Sequence, residues 1–239
     1  LLKIWPVSVV PATRKWLADN IGQADFTNFK AALRFEEHQP PRFALGYEFS
    51  GAEVRFIRTL PPVQEGHGRA TMDGTVYTVV LDGGHVTAPQ GGAIDVADSV
   101  LVVPDIAAKP ALAEVRLLTR APLTATLSLM DEDPFNFLTK ANRPVDLGQG
   151  QALLVSDLRF PLLAKITAED VAFDVSGRIV DFASDKLVPG QTVTSPDMAV
   201  RVTTAGMTLS GEAHLGPMPI VARYDQRFGP QAAGQATGR

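Results

Sequence analysis

Alternation limits the fold of this chain more than any other feature. From Phe43 to about Val103, one short stretch of period-two hydrophobicity follows another, punctuated by glycine and proline. Phe43, Leu45, Tyr47 and Phe49 alternate with Ala44, Gly46, Glu48 and Ser50. Successive side chains of a strand point to opposite faces, so this pattern predicts strands with one dry and one wet face. The phrase from Arg55 through Leu60-Pro61-Pro62 to Gly66-His67-Gly68 breaks the run. Two strand pairs are expected after it, hinged at Asp73-Gly74 and Gly83-Gly84.

The same grammar continues on both sides. Ala31, Leu33 and Phe35 alternate before the turn at Pro40-Pro41, and Ile94, Val96, Val100 and Val102 alternate with Asp98 disturbing the middle. Leu123, Ala125, Leu127 and Leu129 oppose Thr124, Thr126 and Ser128, the cleanest alternation in the chain, and predict another strand. Val171, Phe173 and Val175 predict a further one, as do Met207, Leu209, Gly211, Ala213 and Leu215. Two short helices are expected. The first starts at Pro11, carries Trp16, Leu17 and Ile21 on one face and stops at Gly22; the second is capped by Asp133, with Pro134 first, and stops at Asn142-Arg143-Pro144. A faint repeat relates Asp73–Ala93 to Asp197–Ala213, each read as three strands broken at glycine. The fold class is therefore mostly antiparallel β without a parallel α/β core, and a sandwich, a barrel and an elongated stack all fit.

Composition removes several functions. A net charge of −4 and a pI near 5.6 give no electrostatic footprint for nucleic acid. Without cysteine there are no disulfides, thiolate metal sites or cysteine nucleophiles. No stretch approaches the roughly 20 apolar residues of a transmembrane helix. The chain opens without methionine and ends in a Gly/Ala/Gln-rich stretch, which reads as a segment of a longer protein: one β domain over 1–225, with a possible subdivision near 131–144, and a linker or tail over 226–239. His38, His67, His85 and His214 have no metal-ligand spacing. Gly66-His67-Gly68 lacks the strand-to-helix context of a phosphate loop and reads as a β-turn. Asp131-Glu132-Asp133 is placed at a helix N-terminus, where carboxylates cap. No nucleophile elbow, dinucleotide fingerprint or Walker loop occurs. The rival enzymatic reading is a hydrolase or carbohydrate-active protein using Asp131, Asp133, Asp157, Glu169, Asp170 or Asp174, and it requires two of these across an open polar cleft. No cofactor or metal is expected.

Trp5-Pro6, the Arg14-Lys15-Trp16-Leu17 helix closing on Ile21-Gly22, and the Leu60-Pro61-Pro62 … Gly66-His67-Gly68 phrase together resemble AsmA-like envelope proteins of the large YhdP-type branch. The glycine-broken strands from Asp73 to Val103 and the Asp133-Pro134 helix fit the same pattern, so the resemblance spans most of residues 1–225. It implies an extended, curved sheet forming a hydrophobic groove. It also implies a periplasmic location in a protein anchored to the inner membrane elsewhere, phospholipid acyl chains as partners, passage of phospholipids between membranes, and no catalysis. The expected groove lining is Phe43, Leu45, Tyr47, Phe49, Leu123, Leu127, Leu129, Val171, Phe173, Val175, Met207 and Leu209. Periodicity alone leaves open whether these face an open groove or a sealed core, and a structural or docking domain with a sealed core is the alternative.

Overall fold

The structure is a computed structural model that describes residues 20–37, 42–55, 59–133, 135–163, 166–228 and 237–238. The period-two segments become β1 (Ile21–Arg34), β2 (Arg42–Val54), β3 (Val63–Asp73), β4 (Val76–Thr87), β5 (Ala93–Asp95), β6 (Ser99–Val103) and β7 (Leu112–Pro122). Helix α1 (Leu123–Met130) and the single turn α2 (Phe137–Lys140) follow. The chain returns to strand with β8 (Gln149–Pro161), β9 (Ala172–Val188), β10 (Gln191–Thr203), β11 (Gly206–Leu215), β12 (Met218–Arg227) and β13 (Thr237–Gly238). All thirteen strands join one antiparallel sheet, each pairing with its sequence neighbour except that β5 and β6 share the slot between β4 and β7. Among the described residues the sheet is open: β1 pairs only with β2, and the far side ends at β12 and β13.

Register divides the sheet into two unlike faces. On one, arginines meet carboxylates of neighbouring strands: Arg42–Asp73 at 2.6 Å, Arg69–Asp82 at 2.9 Å, Arg178–Asp197 at 3.3 Å, Arg201–Asp174 at 2.5 Å and Arg159–Glu114. These pairs are exposed and individually weak, but a one-residue slip would turn the whole ladder onto the apolar face. The other face is apolar. What is buried there is mostly small: Ala52, Ala70, Ala113, Ala121, Ala152 and Ala213 all lie at 3% exposure or less, and among the described residues no large side chain falls below 2%. A second sheet packed on this face would seal large side chains throughout; here Leu123, Ile179, Phe182 and Met198 are buried around α1, while the large side chains of the mid-sheet stay half-covered.

Several local expectations need correction. Leu123–Met130, read as a strand, is α1. Its Leu, Ala and Met are strong helix formers, and Pro122 precedes the first turn. The helix crosses the apolar face between β7 and β8, burying Leu123, Ala125 and Ser128. The second helix begins at Phe137 rather than at Pro134, with Asn136 as its left-handed N-cap at φ 49°. Most of the helix expected from Pro11 lies outside the described residues, but Ile21 and Gly22 belong to β1. Gly83-Gly84 and Gly66-His67-Gly68 are not turns: they lie within β4 and β3, where a side chain on Gly83 would sit 2.2 Å from the His67 ring. Gly211 likewise lies inside β11, so the repeat's glycine breaks do not correspond. Asp98, at φ 64°, lies between β5 and β6 and resets the alternation, so that Ile94 and Val96 pack on the apolar face and Val100 and Val102 lie on the charged one.

Candidate functional site on the apolar face

One row of registered neighbours runs across seven strands: Tyr47, Ala70, Val79, Leu101, Val115, Leu158 and Phe173. A second, Leu117, Ser156, Val175, Val202 and Met207, extends it to β11. Apart from buried Ala70 and Val202, these side chains are half-buried. Three apolar clusters bound the rows. At one strand end, Ala125 of α1 packs with Val86, Ile94, Val96 and Ala121, and Leu123 packs with Ile179, Phe182, Val193 and Met198. Near the other end, Ala113, Phe160 and Val171 form a smaller cluster with Ile166 against it.

Helix α1 is fixed by the turn joining β4 and β5. The Ser128 hydroxyl donates to the Gln90 carbonyl at 2.9 Å and accepts from the Gln90 N–H at 3.2 Å. Gly91, at φ +86°, lets that turn approach so closely that a Cβ would lie 2.4 Å from the Ala125 nitrogen. Asp131 at the helix end reaches forward instead of capping backward: its carboxylate accepts the N–H groups of Leu138 at 2.9 Å and Thr139 at 2.7 Å, and the Thr139 hydroxyl at 2.7 Å. Those bonds hold its pKa below the ordinary carboxylate value, the Thr139 N–H contributing most.

The predicted lining divides accordingly. Leu45, Tyr47, Phe49, Phe173, Val175, Met207 and Leu209 are half-buried on the apolar face of strands, and Phe43 is 38% exposed at its margin. Leu123, Leu127 and Leu129 come from α1, Leu123 buried and the other two packed against the clusters. Val171 is buried just before β9. Sequence reasoning missed Met72, Val79, Leu101, Val115, Leu158 and Val202. In β3 the glycines hid the alternation, and in β7 the consecutive Leu117-Leu118 blurred it.

The strand ends on one side of the sheet form a rim. Backbone bonds from Gly74 N–H to Phe43 O, Ile106 N–H to Thr75 O and Leu162 N–H to Ala111 O tie the start of β2, the β3–β4 turn, the β6–β7 connection and the end of β8 side by side. On or beside these connections Leu33, Phe35, Val76, Ile106, Leu112 and Leu163 are exposed.

Of the six carboxylates weighed for catalysis, the structure brings Asp157 and Asp174 together as registered partners. They line a depression of about 700 Å³ on the charged face beside Glu114, Arg116 and Arg159. Arg116 lies 3.9 Å from Asp157 and Arg201 2.5 Å from Asp174, so each carboxylate already faces a guanidinium. Asp133 accepts from Asn136, and Asp170 accepts the N–H and hydroxyl of Thr167, both local turn bonds. Among the described residues no group of three His, Asp or Glu side chains could hold a metal ion, and no helix is long and apolar enough to cross a membrane. No protein-family model, curated protein or solved structure matches the chain.

Proposed function

We propose that this chain is a non-catalytic section of a periplasmic lipid conduit whose apolar face carries phospholipid acyl chains between the inner and outer membranes. The observation that supports this most is the uninterrupted row from Tyr47 to Phe173 on a single-layered sheet. Six inter-strand steps of about 4.8 Å give a track of about 29 Å, comparable to the ~30 Å hydrocarbon core of a bilayer. Each methylene moved from water onto such a surface gains up to about 0.8 kcal/mol. No specific side chain is required for that, in keeping with a site made of registered apolar rows. The ladder of ion pairs keeps the opposite face wet, so the two faces divide solvent from lipid. The resemblance to AsmA-like proteins supports a cell-envelope setting for such a conduit.

The test is photo-crosslinking. A vesicle lipid with a photoactivatable acyl chain, incubated with the purified chain, should label Val79, Leu101, Val115 and Leu158 and spare Arg69, Arg116 and Arg159 on the other face. No labelling, or labelling without preference for a face, refutes the reading and leaves a structural or docking domain.

A further inference from the structure

We infer that the hydroxyl pair of Tyr47 and Tyr77 is a polar station on the apolar face that donates a hydrogen bond to an oxygen of a bound amphiphile, either an ester carbonyl or a phosphate oxygen. This rests on the lipid-carrying reading and specifies one point along the track. Tyr47 stands on β2 and Tyr77 on β4, and the two phenols reach over β3 to meet oxygen to oxygen at 2.7 Å. Between them lie Ala70, 1% exposed, and Met72, the registered partners of Tyr47 and Tyr77. Phe26 packs edge-on against Tyr47 with ring centroids 5.5 Å apart, and Phe29 lies at the same 5.5 Å. The surroundings are otherwise apolar.

Burial raises the pKa of both phenols, with the proximity of Tyr47 adding to the effect on Tyr77, so both are neutral at physiological pH. Two neutral phenols bring two O–H groups, and their mutual bond uses one. The second has no acceptor among the described residues. On the open face that donor is left to water, and an acyl chain covering the face would strand it unless the ligand brings an acceptor, a demand that two phenylalanines would not make. The pair therefore suits a ligand with an oxygen at this point and its apolar part along the row. Exposed Phe29 lies beside Tyr47, and exposed Phe43, four residues before Tyr47 on the same face of β2, continues the apolar surface toward the rim.

The experiment compares the chain with Tyr47→Phe, Tyr77→Phe and the double variant. Each is incubated with vesicles of dioleoyl phosphatidylcholine or of its ether analogue, which keeps the phosphate and lacks both ester carbonyls. Lipid retained after re-isolation is counted by mass spectrometry. The double variant should retain about three- to tenfold less ester lipid, the ratio expected for one hydrogen bond, and melt within a few degrees of the parent chain. Each single variant should stay near the parent, because one hydroxyl remains to donate. If the parent also prefers ester over ether lipid, the acceptor is the carbonyl; if it binds both alike and the double variant loses both, the acceptor is the phosphate. Undiminished retention by the double variant overturns the station and leaves the conduit standing, and a fall in melting temperature beyond ~10 °C makes the pair a structural bond and overturns it too. A parent chain that retains neither lipid refutes the conduit, and the station with it.

Discussion

Val175 and Ile179 lie on the same face of the same strand, four residues apart, and provide the sharpest test of an open apolar face. Val175 sits between Ser156 and Val202 in the half-buried rows. Ile179 sits between Ala152 and Met198 in the cluster beneath α1 and is 9% exposed. Placing an aspartate at 179 buries a carboxylate with no cation in that cluster. An unpaired buried charge costs roughly 3–5 kcal/mol, and lost apolar burial adds about 1–2 kcal/mol. At 175 the same side chain can keep its carboxylate in water if the face is open. The cost is then part of a valine's burial plus the poor strand propensity of aspartate, together about 1–2 kcal/mol. With about 2–4 °C per kcal/mol for a domain of this size, Val175→Asp should lower the melting temperature by roughly 2–8 °C and Ile179→Asp by roughly 8–28 °C or abolish folding. Thermal melts by circular dichroism read both, and crosslinking of an acyl probe to Leu101 should fall in Val175→Asp although the protein stays folded. Equal, large losses of stability at the two positions would show that the rows are sealed, and the conduit would lose its basis.

Three further outcomes follow from other parts of the structure. Gly91→Ala should destabilise the chain by about 2 kcal/mol or more in denaturant titrations, because a Cβ at φ +86° would meet the backbone of α1 at 2.4 Å; an unchanged midpoint would mean that the turn does not hold the helix. Asp131 should titrate below the ordinary carboxylate range of about 3.9. The stabilisation from its bonds is then complete above the ordinary value and is lost as pH falls through the depressed one. The amide shifts of Leu138 and Thr139 in an NMR pH series report the midpoint, and a midpoint at or above the ordinary value refutes the cap. Phe35→Ser with Leu163→Ser, at sites 72% and 45% exposed, should shift the melting temperature by less than ~4 °C. The same pair should reduce co-flotation with phosphatidylcholine vesicles; unchanged flotation would remove the rim from lipid contact.

The strands were legible wherever alternation had one cause. Phe43 to Phe49 and Met207 to Leu215 read correctly because each has one apolar and one wet face in a regular ladder. Leu123 to Leu129 misled because alternation is also what a helix shows when most of its circumference is covered. In α1 the apolar side chains meet clusters on two sides, and Ser128, on the nominally wet positions, is buried against Gln90. The glycines misled in the opposite sense. Gly83 and Gly68 look like punctuation in the sequence, whereas their missing side chains make room inside a strand pair, for the His67 ring and for the backbone of β4. A glycine that admits a neighbour and a glycine that turns the chain look alike in a sequence, and only the register tells them apart.

The candidate site was legible as a face but not as a surface. Period two assigns Leu45, Phe173, Val175 and Leu209 to the dry side whether the sheet is single or one of a pair. What distinguishes the cases is how the rows from different strands line up and what lies over them, and both depend on contacts distant in sequence. The row from Tyr47 to Phe173 draws on residues from seven strands, and a one-residue slip in any of them would interrupt it. The cross-strand ion pairs on the other face resist such a slip, since moving a strand by one residue would carry Arg69, Arg116 and Arg159 onto the dry side, unpaired. The charged ladder and the apolar track are therefore coupled through register. Exchanging the residues of an ion pair, as in Arg69→Asp with Asp82→Arg, should preserve both faces. Removing charge from both partners, as in Arg69→Ala with Asp82→Ala, should loosen the register of β3 on β4, and hydrogen exchange of the β3 amides would show it as faster opening of that strand pair.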